Sequence, residues 1–147
     1  MISHAGLLII AGCSRRKHAA AGPVRALDLY AGGIIPQLRD RVGHLPELRQ
    51  RVRILSAKYG LIAADHRVEP YDLILDSGRA DRLRPAVAAT LGEEFDRDGV
   101  PDEVLVVAEP PYVSLVAGRL GRPRVHTVSD PRDWPAAGAV LDRWGWP

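Results

Sequence analysis

The sequence predicts a single three-layer α/β domain, with a mostly parallel sheet of four or five strands flanked by helices. Three observations carry that prediction. Short apolar runs recur where strands buried on both faces are expected, the clearest being Gly6-Leu-Leu-Ile-Ile-Ala-Gly12. Segments with helical spacing of apolar residues alternate with these runs. Each run opens into a polar loop, and in parallel sheets ligands bind outside the carboxyl ends of the strands.

The elements follow in order. The first strand, residues 6–12, feeds a polar loop over 13–22. Residues 23–48 carry helical spacing in two pieces, Val24, Leu27 and Leu29-Tyr30, then Leu38 and Val42. Gly32-Gly33 and Pro36 break the pattern between them. Residues 52–56 form the second strand, and 57–75 read as a polar loop containing glycine. A helix is expected over 79–98, with Leu83, Val87, Leu91 and Phe95 on one face. The turn at 99–102 leads to a third buried strand over 103–108. Pro110-Pro111 suits the first turn of a helix running through 112–120. A shorter strand at 124–128 and a helix over 133–144 close the chain. No repeat, low-complexity tract or linker interrupts residues 1–147, so one domain is expected.

Composition narrows the function. Cys13 is the single cysteine, which excludes an intrachain disulfide framework and a multi-cysteine zinc site. No metal or cofactor is expected. The longest apolar run, residues 5–12, is far short of the roughly 18–20 residues of a membrane span, and no secretory leader pattern opens the chain. A cytoplasmic protein without a membrane partner is the expectation. The net charge of +2 permits nucleic acid as a partner without demanding it, because no long basic block is present. Lys17 and Lys58 are the only lysines in an arginine-rich chain. An ammonium offers a compact charge and a tunable pKa that arginine lacks, and both lysines fall just after expected strands.

Three motifs occupy those strand ends. In Gly12-Cys-Ser-Arg-Arg-Lys17, Ser14, Arg15 and Lys17 can complete a phosphate- or carboxylate-binding pocket, although the spacing is not that of a Walker loop. Cys13 reads either as a nucleophile, with His18 or His126 as a candidate base, or as a small packed residue. In Ser56-Ala-Lys-Tyr-Gly60, followed by Asp65 and Glu69-Pro-Tyr-Asp72, Lys58 can orient an anion or act as an acid/base. Tyr59 and Tyr71 can stack on a base or hydrogen-bond a sugar or phosphate, or can hold a structured loop together. In Glu109-Pro-Pro-Tyr112, Glu109 reads as a ligand-orienting carboxylate or as ordinary helix capping.

Taken together, Cys-Ser-x-x-Lys after the first strand, Ala26-Leu-Asp-Leu-Tyr-Ala-Gly32, Ile54-Leu-Ser-Ala-Lys-Tyr-Gly-Leu-Ile62 and Pro70-Tyr-Asp72 resemble the family DUF6884. The likeness spans roughly residues 7–115. The pattern also resembles a shortened relative of the YaaA (DUF328) peroxide-stress proteins, which are implicated in DNA binding and in limiting oxidative damage. The resemblance implies a site assembled from Cys13, Ser14, Lys17, Tyr30, Ser56, Lys58, Tyr59, Gly60, Pro70, Tyr71 and Asp72. It supplies no reaction.

The expected function is an enzyme acting on a nucleotide, nucleoside or related phosphorylated small molecule, with hydrolysis or transfer at an N-glycosidic bond. Asp72 or Glu109 is the expected catalytic carboxylate, with Lys58 and Cys13 as further catalytic candidates. Ser14, Arg15, Lys17 and Lys58 are placed on phosphate, and Tyr59 or Tyr71 on the base. Tyr30, Ser56, Gly60 and Tyr112 complete the substrate-binding set. Two alternatives stand beside this: a YaaA-like protein that binds DNA or RNA without catalysis, and an enzyme using Cys13 as nucleophile. Oligomeric state is left open.

Overall fold

The computed structural model describes residues 4–13, 17 and 22–147. Strand β1 (Leu7–Gly12) lies at the centre of a five-stranded sheet, paired in parallel with β3 (Val52–Ser56) on one side and β6 (Glu103–Val107) on the other. Strand β7 (Arg124–Val128) extends the parallel sheet beyond β6. Strand β4 (Gly60–Ala63) closes the opposite edge, so the order is β4-β3-β1-β6-β7. The three buried strands read from the sequence, 6–12, 52–56 and 103–108, are adjacent at the centre of this sheet.

Side-chain alternation along β1 builds two cores. Leu7, Ile9 and Ala11 face one layer, packed with α1 (Ala26–Leu29), α2 (Ile35–Val42), α3 (Pro46–Arg49) and α6 (Trp134–Arg143). Leu8 and Ile10 face the other, packed with α4 (Ser77–Asp98) and α5 (Pro110–Val116). All five β1 residues from Leu7 to Ala11 are buried, as a strand covered on both faces requires.

Four expectations are corrected. The helical reading from Val24 fails at its start: Val24–Arg25 form strand β2, paired antiparallel with β5 (Arg67–Val68), and the helix begins at Ala26. The β-branched Val24 pairs with Val68 in that ribbon, a contact between distant segments that no local spacing reveals. The expected loop over 57–75 contains β4, which returns antiparallel along β3. Gly60 makes the reversal possible: its φ is +75°, and a Cβ there would press on Val87 at 3.4 Å. The long helix starts at Ser77, two residues early, because the Asp76 carboxylate accepts the Arg79 N–H at 2.7 Å. The α-helix after Glu109 ends at Val116, and its last expected residues form a 3₁₀ turn over Ala117–Arg119. The closing helix agrees closely, with Asp133 capping Ala136. Among the described residues no helix is long and apolar enough to cross a membrane.

Candidate functional site

Parallel pairing delivers the ends of β1, β3 and β6 to one edge of the sheet. Cys13 stands one residue past β1, its N–H still held by Leu55 O at 2.8 Å. Ser56 ends β3 and is fully buried. Its Oγ accepts the backbone N–H groups of Lys58 at 3.2 Å and Tyr59 at 3.0 Å, which fixes the turn into β4. A hydroxyl has two lone pairs, so with both used its proton must donate, and Tyr71 Oη lies 2.6 Å away. The Tyr71 hydroxyl is also hydrogen-bonded to Tyr30 Oη at 2.8 Å. Burial pushes Tyr30 up to about 12. It also raises Tyr71, with the neighbouring Cys13 adding to the effect.

The Tyr71 ring is the hub. Tyr30 and Tyr59 meet it edge-to-face, with centroids 6.4 and 5.6 Å away. The Lys17 ammonium lies 4.4 Å from its centroid and that of Lys58 5.9 Å. Lys17 also pairs through its backbone with Tyr30. Arg79, at the start of α4, braces the turn from outside by donating to Ala57 O and Lys58 O, both at 2.9 Å.

On the other side of Cys13, its Sγ lies 3.2 Å from Tyr112 Oη in α5. Burial raises Tyr112, again with Cys13 adding to the effect. Both residues line an open cleft of about 550 Å³, with Glu109 at its rim. Glu109 occupies the N-cap position of α5, yet its side chain makes no capping hydrogen bond. The carboxylate is exposed beside the cleft.

Residues 8–139 match the model of DUF6884, a family of unknown function. The chain belongs to that family. A comparison with curated proteins finds no match. The DUF6884 match encloses every residue of this site, from Cys13 to Tyr112.

In this DUF6884 chain the structure brings together Cys13, Lys17, Tyr30, Ser56, Lys58, Tyr59, Tyr71 and Tyr112, which include both lysines and all four tyrosines. Glu109 joins them through the cleft. Gly60 is buried against α4 and serves the turn. Asp72 is exposed, and the cleft wall on that side is made by the residues after it. Asp65 is drawn away into an ion pair with Arg49 at 2.7 Å. His126, a candidate base for Cys13, instead pairs with Glu103 at 2.8 Å. Ser14, Arg15 and His18 lie outside the described residues. Sequence reasoning missed Arg79, the Leu73-Ile74 wall and the loop after β7, whose Asp130 and Pro131 face the same cleft. The strand-end rule alone pointed to that last loop.

Proposed function

We propose that this chain is an enzyme acting on a nucleotide-like, phosphorylated small molecule, with hydrolysis or transfer at its N-glycosidic bond. One observation carries the reading: both lysines and all four tyrosines gather at the carboxyl ends of β1, β3 and β6, beside a cleft that the Glu109 carboxylate also lines. Lys17 and Lys58 supply positive charge for phosphate without the bulk of a guanidinium. Glu109 supplies the carboxylate. In hydrolysis it takes a proton from water as the water oxygen bonds to C1′ of the sugar. The C1′–N bond breaks, and the departing base nitrogen takes a proton from solvent.

Incubation with nucleoside 5′-monophosphates should release free base, detected by chromatography, and Glu109→Gln should abolish release. Binding of duplex DNA with a steep salt slope, without any small-molecule turnover, would replace this reading with a nucleic-acid one. The Cys13 sulfur in the cleft wall favours a second mechanism: the thiolate bonds to C1′ as the C1′–N bond breaks and the base leaves with a proton from solvent, and water then bonds to C1′, giving a proton to solvent, as the C1′–S bond breaks and the thiolate is restored. Cys13→Ser separates the two: turnover persists if Glu109 activates water and disappears if sulfur is the nucleophile.

A further inference from the structure

The Tyr71 ring meets two other aromatic rings and two ammonium groups. It is thereby committed to the protein and to cation binding, and a substrate base must be held elsewhere.

The cleft supplies the alternative. Leu73 and Ile74 are the large apolar side chains that the described fold leaves exposed, at 40% and 53%. Single exposed apolar residues need no explanation, but these two are adjacent and both line the cleft. Their position is fixed from both sides: Tyr71 is tied to Ser56 and Tyr30, and Leu75 is buried in the core under α4. Between two anchors the chain has little freedom to turn Leu73 and Ile74 inward. Pro111 and Pro131 line the same cleft and add apolar ring surface to it. Gly33 lines it too, with φ at +66°, a conformation that glycine adopts without strain.

Charge divides the site along its length. Glu109, Asp130 and Arg132 line the cleft, and Asp130 is taken up by Arg132, accepting its backbone N–H at 2.9 Å and lying 3.6 Å from its guanidinium, which leaves Glu109 to set the sign of the charge beside Cys13. A phosphate placed there would meet the Glu109 carboxylate. Both lysines lie instead around Tyr71, and Cys13 packs against the core on both faces of the sheet, its sulfur on Tyr112 in the cleft. One end therefore suits a flat apolar ring bearing hydrogen-bond donors, the other a phosphate.

We infer that the Leu73–Ile74 wall is a base-binding subsite, so that the ligand is a nucleoside 5′-monophosphate rather than a sugar phosphate. This rests on the phosphorylated-substrate reading above and narrows it. A base between these walls covers two large aliphatic side chains, enough for about tenfold or more in affinity.

The test compares adenosine and uridine 5′-monophosphates with ribose 5-phosphate by titration calorimetry. The parent and the double variant Leu73→Ser/Ile74→Ser are measured, with Lys58→Ala as the phosphate control. At least one nucleotide should bind about tenfold more tightly than ribose 5-phosphate. The double variant should raise its Kd about tenfold and leave that of ribose 5-phosphate unchanged. Lys58→Ala should weaken both ligands alike. Both serine positions are exposed, and an unchanged unliganded melting temperature confirms that the fold persists. Ribose 5-phosphate binding as tightly as the nucleotides, or a double variant that weakens both equally, overturns the base subsite and leaves the phosphate reading standing. Failure of all three ligands to bind overturns both.

Discussion

Ser56 donates its proton to Tyr71 across 2.6 Å, and it does so because its own oxygen is already occupied by two backbone N–H groups. The end of β3 thus anchors a chain of three hydroxyls, Ser56, Tyr71 and Tyr30, that fastens the segment after β5 onto the sheet.

Ser56→Ala should cost more than one hydrogen bond. It leaves the Lys58 and Tyr59 N–H groups without their acceptor and removes the donor to Tyr71. A loss of about 1–3 kcal/mol is expected for buried polar groups left unpaired. Urea denaturation reads it directly, and a cost near zero would show that water repairs the site.

Tyr30 makes stability depend on alkaline pH. Burial raises its folded-state pKa from the ordinary phenol value of 10.0 to about 12, so folding favours the protonated phenol. The contribution is complete below about pH 10, where both states are protonated, and is lost as pH rises towards 12 and the unfolded chain ionises first. Tyr71 and Tyr112 are raised in the same direction and act in the same sense. Denaturation midpoints measured from pH 8 upward should fall above pH 10, by up to roughly 1.4 kcal/mol per pH unit for Tyr30. Tyr30→Phe should flatten that fall.

Lys58→Arg tests the choice of ammonium over guanidinium. Lys58 is exposed, so the unliganded fold should change by no more than about 0.5 kcal/mol. Its larger planar head beside Tyr59 and Tyr71 should nevertheless abolish most of the thermal shift given by nucleotides. Lys17→Arg should act in the same direction, less severely. Parent-like binding by both variants would mean that only charge matters at these positions.

Arg79→Ala removes the brace on the Ala57 and Lys58 carbonyls without touching a ligand. Melting temperature should move little, because one of the two bonds lies at the surface. Ligand affinity should fall, since the Lys58 ammonium loses its fixed base. Unchanged affinity would show that Ser56 alone holds the turn.

The parts of the fold legible in sequence were those with a pattern long enough to repeat. The runs at β1, β3 and β6 and the stripe through Val87 and Leu91 each bury one repeating face. Strand β4 was not legible, because Leu61-Ile62-Ala63 is too short to separate from a loop. Strands β2 and β5 hold two residues each and exist only through each other. Within the site, Cys13, Lys58, Glu109 and Tyr112 could be found because the strand-end rule names their loops. Leu73 and Ile74 could not, because their exposure depends on where Tyr71 and Leu75 pin the chain. An apolar triplet flanked by Asp72 and Asp76 in an otherwise polar stretch was the available signal.

The central position of β1 bears on the order of synthesis. Its partner β6 and the Tyr112 that covers Cys13 are about a hundred residues downstream, with Cys13 and Tyr112 separated by 99 positions. Such long-range pairing is slow to close and cannot begin until the partner has left the ribosome. On a growing chain the thiol is therefore bare until translation is well past residue 112, at roughly 5–20 residues per second. A thiol-reactive probe applied to stalled nascent chains of increasing length should label Cys13 freely in the short ones. Labelling should slow without ceasing once β6 and α5 have emerged, because the folded Cys13 is half-buried and still lines the cleft.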